Sequence, residues 1–297
     1  MTIEKYNILV IYNVGGEAND FHGPSYADAF EALGNKVTRI RHDTPLPDGK
    51  FDMMFHFYHS IDHEKIKEIK SRGATTILLI GDEPCEFSRT SNFTPWYDIV
   101  FNQTGGWNNI EEHRALGANM YPLPHAADTS KYYPVAVTDE DRKYYGTDIA
   151  FVGSLKTPAI RNDRIWMHDL FKGYTFKTWG PGTMNDRWIY PEEVRKIYAS
   201  SKIIFNPGAV ADQPNWDIRY PMLLGETACR VYNTAAARAF QIVPRRDWNS
   251  SITRPFNDDE VAYYDMANIE DIYRVTDKYL SEDKLREKMA ERAYHRV

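Results

Sequence analysis

The feature that most constrains the fold of this chain is a rhythm. Strand-length runs recur from Tyr6 to Leu123: Tyr6–Tyr12 (YNILVIY), Lys36–Arg41 (KVTRIR), Phe51–Phe57 (FDMMFHF), Thr75–Ile80 (TTILLI), Tyr97–Phe101 (YDIVF) and Ala118–Leu123. Between them lie segments with helical spacing, Ser25–Leu33, His63–Ser71 and Asn108–Leu116, the first two stopped by Gly34 and Gly73. Strands joined by helices of this length pair in parallel rather than as hairpins, so the pattern predicts a doubly wound α/β sheet.

The rhythm breaks over residues 124–145, where Pro124, Pro134, several charges and two Tyr pairs read as a connection between domains. It then restarts. Strands are predicted over Asp148–Val152, Thr175–Trp179, Lys202–Asn206 and Ala239–Val243, and helices over Asp163–Phe171, Pro191–Ser200, Gly225–Arg238, Ile269–Tyr279 and Asp283–His295. The expected architecture is therefore two Rossmann-like, doubly wound domains, 1–124 and 146–297, with 125–145 crossing between them. The last helix is a candidate to pack back on the first domain. In such sheets ligands bind beyond the carboxyl ends of the strands at the switch point, and two facing domains would place a cleft there.

A chain of 297 residues has room for two such cores. Its net charge of −6 argues against a generally basic nucleic-acid binder. No apolar run approaches the ~20 residues of a membrane span, and the N-terminal region lacks the order of a signal peptide. Only Cys85 and Cys229 are present, without CxxC spacing, which disfavours a disulfide framework or a cysteine zinc site; a cytoplasmic location is expected.

The run Phe151-Val-Gly-Ser154 empties a buried strand into a small-residue turn, with Arg161 and Arg164 following. Such a turn lets a phosphate approach backbone N–H groups, and arginine adds a bidentate partner. Gly15, Gly16 and Gly23 after the first strand do not form GxGxxG, so a dinucleotide fingerprint is not supported.

Taken in order, Phe151-Val-Gly-Ser154 with Arg161, Trp179-Gly-Pro-Gly182, Tyr198-Ala-Ser-Ser-Lys-Ile-Ile-Phe-Asn206 and Arg230-Val-Tyr-Asn233 resemble the CgeB-like branch of the GT-B glycosyltransferases. The crossing Leu123-Pro-His-Ala-Ala-Asp128, followed by Tyr133-Pro134, is similar to that family's linker. The resemblance implies a nucleotide-sugar co-substrate bound mainly by the second domain, through Gly153, Ser154, Arg161, Gly180, Asn206, Arg230 and Asn233. It also implies no bound metal and no tightly bound cofactor. Where related enzymes carry Arg-x-Phe-Glu, with the Glu on the ribose hydroxyls, this chain has Asn233, which hydrogen-bonds but supplies no carboxylate.

A transferase of this class that inverts its sugar needs a base for the acceptor hydroxyl. His59 and Asp82, each following a first-domain strand, are the candidates; Gly15, Gly16 and Glu83 are assigned to the acceptor side. The acceptor stays open among glycan, protein and, as in phage enzymes, a hydroxymethylated base in DNA. A non-catalytic GT-B-like binding or assembly protein is the competing reading, with Asn233 its main support. His56, His59 and His63 could be read as a metal cluster, but their strand-to-turn placement disfavours it. Asp139-Glu-Asp141 reads as a solvated charge cluster of the crossing.

Overall fold

The computed structural model describes residues 5–12, 19–57, 63–81, 83, 86–103, 106–155, 166–183, 185–207, 228–245, 254–265 and 268–297, with the side chains of 19–22 excepted. Its contacts divide the chain into two units, the boundary falling between Pro124 and His125.

The first unit runs β1 (Asn7–Tyr12), α1 (Asn19–Ala32), β2 (Lys36–Arg41), β3 (Met53–Phe57), α2 (His63–Ser71), β4 (Thr75–Ile80), α3 (Phe87–Thr90), a 3-10 turn at Thr94–Trp96, β5 (Ile99–Asn102), α4 (Gly106–Ala115) and β6 (Met120–Pro122). Its six strands lie in the order β2-β1-β3-β4-β5-β6, every pair parallel. Both faces of the central strands β1, β3 and β4 are covered, which is why they are largely apolar, whereas the edge strand β2 (KVTRIR) is not. Ile8, Val10, Phe55, Phe57, Ile77 and Leu79 pack with Ala27, Tyr26 and Phe30 of α1. On α2, Ile66 and Ile69 are buried.

The second unit runs α5 (Asp139–Tyr145), β7 (Thr147–Val152), α6 (Trp166–Leu170), β8 (Phe176–Trp179), α7 (Pro191–Ser200), β9 (Ser201–Phe205), α8 (Cys229–Ala236), β10 (Gln241–Pro244), β11 (Ala262–Tyr264), α9 (Ile269–Leu280) and α10 (Asp283–Arg296). Five parallel strands lie in the order β11-β10-β9-β7-β8. Alternate residues of β7 serve opposite faces. Ile149 and Phe151 join Phe205, Tyr264 and residues of α9 and α10, whereas Ala150 and Val152 join Val194, Ile197 and Tyr198 of α7. Burying one such large side chain stabilises by about 1.5–3 kcal/mol. Within this unit α10 packs on α8 and α9.

Counted within each unit, the two sheets share one strand order, 2-1-3-4-5, with β6 added to the first. The order reverses between the first and third strands, β1 and β3 in one unit and β7 and β9 in the other. Two doubly wound parallel domains were the expectation, and both are present.

An Asp–Thr bracket ties the amino-terminal edge of each sheet. Asp98, just ahead of β5, accepts from the backbone N–H and the hydroxyl of Thr76 at the start of β4, both at 2.8 Å, and from Lys70 at 2.9 Å. Asp148 at the start of β7 accepts from the Thr175 hydroxyl ahead of β8 at 2.5 Å and from Lys202 of β9 at 2.7 Å. Each carboxyl sits below its ordinary value: burial alone would raise it, but the lysine and threonine donors outweigh that.

Three local expectations change. Residues 139–145, read as part of an irregular crossing, form α5. Thr138 caps it, accepting from the Asp141 N–H at 3.1 Å while Asp141 accepts from the Thr138 N–H at 3.1 Å. Asp139 and Glu140 are exposed in its first turn, where they complement the helix dipole. Helix α1 begins at Asn19 rather than Ser25 and runs through Pro24. The short strand β11 was not expected.

Candidate functional site

The carboxyl ends of β7, β8 and β9 converge with the start of α8. After β7 the backbone turns at Gly153, whose φ is +154°, and after β8 at Gly180, whose φ is +126°. The two glycines are pressed together. Gly153 donates its N–H to Trp179 O at 2.8 Å, and a Cβ placed on Gly180 would fall 2.6 Å from Gly153 O. Pro181 O accepts from the Leu155 N–H at 2.8 Å, and Gly180 O accepts from the N–H and hydroxyl of Thr183. The Gly153–Trp179 and Leu155–Pro181 bonds fix the two turns against each other through backbone alone.

Arg230, in the first turn of α8, lies across this edge. Its Nη1 donates to Val152 O at 3.1 Å, its Nε donates to Asn206 Oδ1 at 3.0 Å, and its guanidinium lies 5.0 Å from the Phe151 ring centroid. A Cβ on Gly153 would fall 2.6 Å from Nη1 and 2.8 Å from the Phe151 ring. Glycine at 153 is therefore what lets the cation approach the β7 carbonyl. Among the described residues Nη2 makes no hydrogen bond. Fully buried Tyr198 flanks the site from α7; burial pushes its phenol up, while its bond with Thr234 and the Arg230 charge pull the other way. Tyr132 is also raised, by burial first and then by Tyr198, Cys229 and Asp128.

Of the residues the sequence singles out, the structure brings Gly153, Gly180, Asn206 and Arg230 into one neighbourhood. Ser154 follows Gly153 and is half-buried; Asn233 is half-buried three residues beyond Arg230, on the same side of α8. Trp179 and Tyr198 belong to the core of the unit. Arg245 stacks near Tyr263, at 5.4 Å. Arg161, Arg164, Arg219, Glu226 and Arg246 lie outside the described residues, as do His59, Asp82, Gly15 and Gly16. Gln241, which the sequence did not single out, proves to be an immediate neighbour of Asn206: it accepts from Asn206 Nδ2 at 2.6 Å.

In the first unit Glu83, after β4, is 3% exposed and points inward. Its Oε1 accepts from the Thr90 hydroxyl at 2.5 Å and its Oε2 from Asn109 Nδ2 at 3.2 Å, with His113 Nε2 at 3.6 Å. Asn109 Oδ1 accepts from Asn102 at 2.7 Å, and His113 Nδ1 meets the Thr94 hydroxyl at 3.1 Å. The network pairs most of these buried polar groups with one another, His113 Nε2 alone among the named atoms staying beyond hydrogen-bond distance of Glu83. His56 lies buried in β3 with Nδ1 2.7 Å from the Tyr97 hydroxyl, and His63 opens α2 stacked on Trp96. Among the described residues no group of three His, Cys, Asp or Glu side chains is placed to hold a metal ion, and no described helix is long and apolar enough to cross a membrane.

Two parallel doubly wound units of this order are the architecture of the GT-B glycosyltransferases, and the chain has that fold. Residues 161–297 match the family model described as "Glycosyl transferase-like". Solved structures align over nearly the whole chain. A glycosyltransferase from Rickettsia africae is 10% identical with a TM-score of 0.63, covering 99% of this chain and 93% of its own. Sucrose-phosphate synthase from Thermosynechococcus elongatus is 9% identical with a TM-score of 0.58, covering 98% and 94%. The Anabaena protein HepE, solved in complex with UDP and glucose, is 9% identical with a TM-score of 0.58, covering 98% and 94%. At the level of sequence no curated protein matches the chain.

Proposed function

We propose that this protein is a glycosyltransferase of the CgeB-like branch that moves a sugar from a nucleotide-sugar donor to an acceptor hydroxyl. The observation that carries the reading is the meeting of Gly153, Gly180, Asn206 and Arg230 at the switch point of the unit whose sequence matches the glycosyltransferase-like model. Structural relatives solved with UDP, and with UDP and glucose, support a nucleotide donor.

The charge that needs stabilising is that on the departing diphosphate. Arg230 is already oriented by Val152 and Asn206, with Nη2 unengaged among the described residues, so little reorganisation is needed when that charge develops. Arg230 also lies in the first turn of α8, the positive end of the helix dipole. Ser154 and Arg161 complete the phosphate contacts, and the turns at Gly153 and Gly180 let the donor lie on backbone. Asn233 takes the ribose position through an amide. The acceptor is assigned to the first unit, with Gly15 and Gly16 lining its approach and His59 or Asp82 taking the hydroxyl proton. Both oxygens of Glu83 are engaged inside the unit, so its part on the acceptor side is to hold the segment after β4 that also carries Asp82. The reaction as read uses no metal and proceeds in the cytoplasm.

Calorimetry with UDP, ADP and GDP and their glucose conjugates tests the reading, followed by donor turnover. Binding of at least one nucleotide, weakened about tenfold or more in Arg230→Ala, is expected. Absence of binding by all of them would overturn it. Binding without hydrolysis or transfer to any glycan, protein or hydroxymethylated-DNA acceptor would favour the non-catalytic reading.

A further inference from the structure

Arg230 belongs to a chain of side chains whose polarity admits one arrangement. A guanidinium can only donate, so the Asn206 atom facing Nε must be its oxygen. The Asn206 amide nitrogen must then donate elsewhere, and it does, to Gln241 Oε1 at 2.6 Å. That leaves the Gln241 nitrogen facing a carbonyl, Val231 O, at 2.9 Å. Val231 follows Arg230 in α8, so the chain closes on the helix it started from. Asn206 and Gln241 are each 1% exposed, so no bulk water competes for these groups.

We infer that Gln241 is a positioning residue for donor binding. By taking the Asn206 amide proton it turns Asn206 Oδ1 toward Arg230, and by donating to Val231 O it sets the height of α8 against β9 and β10. Without Gln241, the buried Asn206 amide nitrogen loses its acceptor, Arg230 alone is left to orient the amide, and the hold on the guanidinium plane loosens. The inference rests on the reading of Arg230 as a donor-phosphate contact.

The test is a double-mutant cycle read by calorimetric titration with UDP, with ADP and GDP as further probes. Gln241→Met keeps the length and removes both polar atoms. It is expected to weaken nucleotide binding about tenfold, the effect of one disturbed charged hydrogen bond. Arg230→Ala weakens binding at least as much, and the double variant binds like Arg230→Ala alone. Wild-type binding by Gln241→Met would overturn the inference. So would an equal loss caused by Gln241→Met in the Arg230→Ala background, because that marks a general packing role. If the wild type binds none of the three nucleotides, or Arg230→Ala binds normally, the functional reading fails, and a second measurement still decides the positioning role. The Arg230 Nε–H resonance, identified by its loss in Arg230→Lys, should exchange slowly in the wild type and rapidly in Gln241→Met. Unchanged exchange would overturn the role of Gln241.

Discussion

Gly180 stands so close to Gly153 that a methyl group on the former would lie 2.9 Å from the latter's carbonyl carbon. Backbone cannot swing away as a lysine tip can, so Gly180→Ala must separate the turns after β7 and β8. Gly153→Ala meets Arg230 and Phe151 and adds strain at φ +154°. Each substitution is expected to cost about 1–3 kcal/mol of unfolding free energy. Because both displace the Gly153 backbone, the double variant should cost less than the sum, which denaturant titration of the three variants would show.

Asn233 offers a gain-of-function test. It is half-buried on α8, three residues after Arg230, where the resembling family carries Glu. Asn233→Glu supplies a carboxylate for two ribose hydroxyls and is expected to tighten nucleotide binding by roughly five- to tenfold. Calorimetry with UDP against deoxyribose UDP checks it: the gain should shrink when the 2′ hydroxyl is missing and only the 3′ hydroxyl remains.

Glu83 is predicted to matter first for stability. Removing its carboxylate leaves the Thr90 hydroxyl, the Asn109 amide and the nearby His113 ring without their central acceptor. Glu83→Ala should therefore destabilise the first unit by about 2–4 kcal/mol, and Glu83→Gln by less, since it keeps one acceptor oxygen. Hydrogen exchange of the β4 and β5 amides locates the effect.

The Asp98 and Asp148 brackets set an acid limit. Both carboxyls are lowered in the folded state from a reference of 3.8, so the folded protein holds them ionised where the unfolded chain begins to protonate. Their stabilisation is complete above that reference and is lost as pH falls through the lower folded values. Asp98→Asn and Asp148→Asn should lower Tm at neutral pH and flatten its fall at acid pH. Thermal melts between about pH 6 and pH 3 would show the curves converging.

The sheets were legible because buried parallel strands write themselves as apolar runs, as in YNILVIY and TTILLI. Helix α5 was not, because DEDRKYY has no apolar stripe; its signal was Thr138 three residues ahead of Asp141. With three residues, β11 falls below what periodicity can resolve. Gly153, Asn206 and Arg230 were legible through the order of motifs along the second half. Gln241 was hidden because its importance lies in a partner thirty-five residues away, a pairing that only the neighbouring positions of β9 and β10 create. A lone glutamine opening a buried apolar strand was the available hint.

The two Asp–Thr brackets have a consequence for how such a chain diversifies. Both lie at the amino-terminal edges of their sheets, whereas Gly153, Gly180, Asn206 and Arg230 lie at the opposite edge of the second. Inheritance of the scaffold and revision of its specificity are thereby assigned to different ends of the same strands. Substitutions can accumulate at the rim proposed to take the donor while the stitching at the other preserves the register.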